Sequence, residues 1–132
     1  MQFVSMQRGR KKGTGYNYKG VYAAYFNKLK TSAEKRNIPF NLTLKMLGDL
    51  WEKQPICPYT GLSLTQYSYA NDTCYTASLD RIDSSLGYQQ KNIQWVYKPI
   101  NKMKGNMSHS EFSEIIKEIG ELAILKSNRK WN

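Results

Sequence analysis

Cys74-Tyr-Thr-Ala-Ser-Leu-Asp-Arg-Ile82, followed by Asp83-Ser-Ser-Leu-Gly-Tyr88 and Asn92-Ile-Gln-Trp-Val-Tyr97, decides the fold. The first run has strand composition, and the second is a loop rich in Asp, Ser and Gly. In the third, Ile93, Trp95 and Tyr97 alternate onto one face, which predicts a half-buried strand. Pro99 suits the first turn of a helix running through Asn101 to about Lys104. Strand, loop, strand, helix is therefore the expected centre of the chain, over about residues 74–105.

Outward from that centre the pattern is helical. Toward the N-terminus, Val21, Tyr22, Tyr25, Phe26 and Leu29 recur at three- and four-residue spacing, in a helix that Pro39 ends at or before Asn37. Thr43 is placed to cap a second helix with Leu44, Leu47, Leu50 and Trp51 as its stripe. Pro55 to Leu64 reads as two short strands around a turn at Thr60-Gly61. Toward the C-terminus, Ser108-His-Ser-Glu111 matches a capping box. It opens an amphipathic helix through Phe112, Ile115, Ile116, Ile119, Leu122, Ala123 and Leu125.

Length and charge narrow what such a chain does. At 132 residues with 40% hydrophobic content, it is long enough for one cored domain and too apolar to be disordered. No apolar run reaches the roughly 20 residues of a membrane span. Met1 to Arg8 lacks the apolar stretch of a signal peptide, so a soluble intracellular chain is expected. Twenty Lys and Arg against ten acids give a formal charge of +10, a field that favours a polyanion such as nucleic acid. Residues 1–20 read as a basic flexible arm, with Arg8, Arg10, Lys11 and Lys12 expected on nucleic acid. Residues 21–132 then form one domain. Cys57, Cys74 and His109 fall short of the four ligands of a structural zinc, so none is expected and the thiols are read as reduced.

Between Lys53 and Ser110 the only carboxylates are Asp72, Asp80 and Asp83, set among Arg81, Lys91, Lys98, Lys102 and Lys104. A carboxylate in a phosphate-binding surface needs a compensating metal or ion pair. Asp80 beside Arg81 thus reads either as a magnesium ligand next to a phosphate-binding guanidinium, or as a structural Asp–Arg pair.

Ser78-Leu-Asp-Arg-Ile-Asp83, Gly87-Tyr88, Asn92-Ile-Gln-Trp-Val96 and Ile100-Asn-Lys-Met-Lys-Gly105 together resemble the HNH endonucleases of the ββα-metal (His-Me finger) superfamily, in particular small phage and bacterial proteins. The upstream runs Ala33 to Phe40 and Gln54 to Gly61 resemble the region before the motif in those proteins, so the likeness spans roughly residues 20–120. It implies an α+β fold: a ββα-metal hairpin-and-helix core, flanked by N-terminal helices and a C-terminal helix that braces the site. It also implies divalent-metal-dependent hydrolysis of DNA phosphodiesters, one strand nicked per site, with magnesium or manganese as the cation. Asp80 and Asn101 would hold the metal, Asn92 would fix the loop, and Lys102 and Lys104 would meet substrate phosphate. Double-stranded DNA would be the partner, cutting both strands would need two copies, as in a homodimer, or two events, and the place of action would be bacterial or phage-infected cytoplasm. Most relatives carry the general-base histidine where Arg81 stands; an arginine cannot take that proton. Arg81 would then clamp phosphate, while Tyr97 or His109 would be left as the base. A degenerate, DNA-binding HNH domain that no longer cuts is the alternative.

Overall fold

In a computed structural model of the chain, residues 15–128 are described. The fold is α+β. Strands β1 (Asn17–Tyr18) and β2 (Val21–Tyr22) form an antiparallel hairpin that leads into α1 (Ala23–Lys35). Lys19 and Gly20 both have positive φ, the turn geometry that matches strand twist in a two-residue hairpin. The hairpin docks on α2 (Leu44–Lys53): the Tyr18 hydroxyl donates to Asp49 at 3.1 Å, and Lys19 pairs with Asp49 and Glu52. The expected flexible arm therefore gives way to folded chain by Asn17, because its turn and its aromatic residue have a partner. Arg8, Arg10, Lys11 and Lys12 lie outside the described residues.

Thr43 caps α2 as expected, its hydroxyl accepting from the Met46 N–H at 3.2 Å. Pro55 to Leu64 closes as a hairpin-like loop with one bridge, Ile56 to Ser63, rather than two strands.

The centre is the antiparallel pair β4 (Ala77–Arg81) and β6 (Ile93–Tyr97), in register from Ala77↔Tyr97 to Arg81↔Ile93. Alternation gives this hairpin two faces. Ala77, Leu79, Ile93 and Trp95 face α1 and α2; Trp95 is wholly buried, donating its indole N–H to the Leu47 carbonyl at 3.3 Å. Ser78, Asp80, Gln94 and Val96 face the other way, under α3 (Lys98–Lys104) and the first turn of α4 (His109–Asn128). The expected half-buried strand is thus buried on both faces from Ile93 to Val96, because helices cover each side. The short β5 (Tyr88–Gln89) pairs in parallel with β3 (Phe40–Asn41), a long-range contact that no local pattern announces. Gly87 makes that pairing fit, since a Cβ there would sit 2.6 Å from the Pro39 carbonyl oxygen.

The capping box forms as read: Glu111 N–H donates to Ser108 Oγ at 3.1 Å and Ser108 N–H to Glu111 Oε1 at 3.0 Å. Of α4, however, only Phe112 is buried. The helix braces the site through its first turn and then leaves the body of the domain.

Candidate active site

β4 has a free edge. In this register Asp80 bonds toward β6, so Leu79 and Arg81 turn their backbone groups outward, where side chains satisfy them. The Tyr25 hydroxyl accepts from the Leu79 N–H at 3.0 Å. Asn101 Nδ2 lies 3.4 Å from the Leu79 carbonyl and donates to Ser78 Oγ at 2.7 Å. Lys104 Nζ donates to the Arg81 carbonyl at 2.7 Å. Helix α3 therefore runs along this edge, its Asn101 and Lys104 one turn apart and both turned toward β4.

Beside α3 the edge opens into a groove of about 350 Å³. Arg36, Arg81, Lys98 and Lys102 line it with Asp80 and Asn101. Arg36 comes from the end of α1, far away in sequence, and no periodicity marks it. Arg81 is fixed by its own loop: Nη1 donates to the Ser84 and Leu86 carbonyls at 2.8 and 2.9 Å, and the guanidinium lies 5.5 Å from the centre of the Tyr88 ring. Its other nitrogens make no hydrogen bond among the described residues, which leaves a preoriented donor set for an anion. The structural Asp–Arg pair is not what forms.

That loop is tied by Asn92. Asp83 N–H donates to its Oδ1 at 2.8 Å, while its Nδ2 donates to the Asp83 and Gly87 carbonyls at 3.0 and 2.9 Å. One buried amide thus spans both ends of the turn. Asp83 itself accepts from the Ser85 hydroxyl and N–H, which holds its carboxyl below the usual carboxylate range.

Asp80 is 5% exposed and has a partner for each oxygen. Lys104 Nζ, its side chain wholly buried, pairs with Oδ1 at 3.1 Å; Gln94 Nε2 donates to Oδ2 at 2.9 Å. Lys104 was expected on substrate phosphate. Its position one turn after Asn101 instead drives it inward, where its charge compensates Asp80 and its remaining protons meet backbone carbonyls. Lys102, on the opposite side of α3, is exposed and lines the groove.

The two residues proposed as base lie elsewhere. Tyr97 lies on β6, the strand away from the free edge of β4, and lines a neighbouring cleft with Tyr75 and Pro99. His109 sits on the far side of Asp80, in a chain of contacts. Gln94 Nε2 has two protons, one for Asp80 and one for the Tyr59 hydroxyl at 3.1 Å. The Tyr59 hydroxyl, which carries one proton of its own, also lies 2.8 Å from His109 Nδ1, and His109 Nε2 lies 3.5 Å from Ser113 Oγ. Burial holds the Tyr59 phenol above its usual pKa, so it keeps that proton at neutral pH. Gln94 was legible as a polar residue on a strand that turned out buried on both faces; Tyr59 carried no signal.

The donor set for a cation is small. Among the described residues no three His, Cys, Asp or Glu side chains come together. Asn101 spends its amide nitrogen on β4, which leaves its carbonyl oxygen without a partner among the described residues. Asp80 retains lone pairs beyond the two it uses. One carboxylate and one amide oxygen suit magnesium, which takes one or two protein oxygens and fills the rest with water and phosphate.

No family model matches the chain, and no curated protein sequence matches it. A solved structure of the rare-cutting HNH restriction endonuclease PacI is similar in fold, with a TM-score of 0.55 at 20% identity, over 82% of this chain and 89% of that one. The likeness is to an HNH-type α+β fold. No helix among the described residues is long and apolar enough to cross a membrane.

Proposed function

We propose that this chain is a DNA endonuclease of the HNH type that hydrolyses phosphodiester bonds with the help of a divalent cation, nicking one strand per site. The observation that carries the reading is the groove at the free edge of β4, where four cations surround Asp80 and Asn101. That charge suits a phosphate backbone, and the fold is that of a protein whose own description is a DNA endonuclease.

Asp80 and Asn101 would hold the cation, magnesium or manganese, which would offset charge on the scissile phosphate and the leaving oxygen. Arg81, fixed by loop carbonyls, would hold a non-bridging phosphate oxygen without reorganising as charge develops. Arg36, Lys98 and Lys102 would position the strand. The His109–Tyr59–Gln94 chain orients Asp80 rather than passing protons to it, because an amide does not relay a proton. Because Lys104 already compensates Asp80, the cation would owe its affinity largely to substrate phosphate. Calorimetry should therefore register weak magnesium binding by the free protein and much tighter binding with DNA present.

A degenerate, DNA-binding domain is the second reading. It is favoured by two observations: no imidazole lines the groove, and both oxygens of Asp80 already have partners. Supercoiled plasmid incubated with magnesium or manganese separates the two. Nicking that EDTA and Asn101→Ala abolish, with the fold intact by circular dichroism, supports the nuclease. Plasmid retardation without cleavage in any metal supports the binding domain. Asn101 is the better probe than Asp80, whose loss would strand the buried Lys104 charge. On the nuclease reading, cutting both strands requires two copies or two successive nicks.

A further inference from the structure

We propose that the exposed face of α4 is where two copies of this chain associate, their helices packed antiparallel about a two-fold axis. The helix is 20 residues long, about 30 Å, and its anchorage is confined to its start. There the capping box closes, His109 N–H donates to the Ile82 carbonyl at 3.1 Å, and Phe112 packs edge-on against Tyr59. Every residue from Lys117 to Asn128 is exposed. Half of the large hydrophobic side chains exposed among the described residues come from this one helix. Ile115, Ile119, Leu122 and Leu125 are 37%, 49%, 56% and 56% exposed and recur at three- and four-residue spacing, a continuous stripe. A helix of this length draws its stability in water from packing such a face, and among the described residues nothing covers it from Lys117 onward.

Charge selects the occupant. Glu111, Glu114, Glu118 and Glu121, four of the chain's ten acids, lie on α4. Glu111 and Glu118, seven residues apart, border the stripe. An acidic edge rejects nucleic acid, and a membrane-surface helix carries Lys and Arg on its polar face instead. All four glutamates precede Lys126 in the helix. Two parallel copies would set glutamate beside glutamate. Antiparallel copies set the acidic half of each helix against Lys126 of the other, twice by symmetry. The stripe puts on the order of 400 Å² of apolar residue surface per copy in water, so the pair would bury about 800 Å² of it, and the flanking glutamate and lysine stems would carry the contact to the roughly 1,000 Å² of a specific interface.

The contact itself does not depend on the nuclease reading. Only its consequence does: two grooves in one particle, which would let both strands be cut in one encounter. Light scattering on the full chain should give twice 15.3 kDa at micromolar concentration, and Ile119→Asp with Leu122→Asp should give the monomer with its circular dichroism retained. Lys126→Glu should weaken association by about tenfold or more, and adding Glu111→Lys should restore it. In a Cys74→Ser background, with Cys57 buried, Glu111→Cys combined with Lys126→Cys should cross-link copies while neither does alone. A monomeric mass throughout, a dimer that survives the double aspartate variant, or equal cross-linking by either single cysteine would overturn the proposal. On plasmid, the monomeric variant should nick without linearising. A dimeric wild type that cuts nothing would count against the nuclease reading and leave the interface standing.

Discussion

Replacing Lys104 with methionine tests the centre of this site. The ammonium lies 3.1 Å from Asp80 Oδ1 and 2.7 Å from the Arg81 carbonyl, with its side chain 0% exposed. At an effective dielectric constant of about 20, the attraction over that distance is about 5 kcal/mol, and desolvating both ions takes back a comparable amount. The pair's net worth is therefore small, but breaking it is costly. Lys104→Met leaves a buried carboxylate with Gln94 as its remaining donor and a carbonyl without one, a loss of about 3–5 kcal/mol. Asp80→Asn strands the ammonium and should cost a similar amount. The double variant removes both charges and should recover most of the loss, a coupling of several kcal/mol. For 132 residues, each single change should lower Tm by about 10–20 °C, and the double variant by less than half of that. Urea titration followed by circular dichroism measures all three. Single variants costing under about 1 kcal/mol, or a double variant as unstable as the two losses added, would refute the reasoning.

Asn92→Ala removes three hydrogen bonds that close the Asp83–Gly87 turn, and should cost about 2–3 kcal/mol and release amide protection across that loop in hydrogen exchange. Burial pushes the Tyr25 phenol up to about 12, against an unfolded value near 10. The folded state therefore holds its proton more tightly: this contribution is complete below pH 10 and drains away as pH rises through 12. It should amount to about 2 kcal/mol in denaturant titrations between pH 9 and 12, and Tyr25→Phe should flatten that slope. Gly48→Ala would put a methyl 2.6 Å from the Tyr18 carbonyl oxygen, so the β1–β2 hairpin must shift off α2. Thermal melting should register a loss of about 1–3 kcal/mol.

The elements legible in the sequence are those set by interactions a few residues apart. Thr43 with Met46 and Ser108 with Glu111 are local exchanges of backbone donors, and they form as read. The strand at 93–97 follows from alternation, the one at 77–81 from the composition of the run from Cys74 to Ile82, and the tight loop between them from Asp, Ser and Gly. Asp80 could be picked out as a carboxylate among cations, and Asn92 and Asn101 through the family resemblance, whose motif lies on one hairpin and the helix after it.

What the tertiary structure decided is which partner each charge meets. From the sequence Lys104 is one basic residue among several near a phosphate-binding loop; only helix α3 lying along β4 turns it inward onto Asp80. Arg36 reaches the groove from another helix, and Tyr59 meets His109 across 50 residues. Tyr97 is kept from the groove because the groove opens at the free edge of β4 while Tyr97 stands on β6, a pairing the sequence does not position. The physical reason is the same each time. Local hydrogen bonds and side-chain periodicity are set by neighbours along the chain, whereas electrostatic partners and burial depend on which faces pack together, and that is settled only when the whole domain closes.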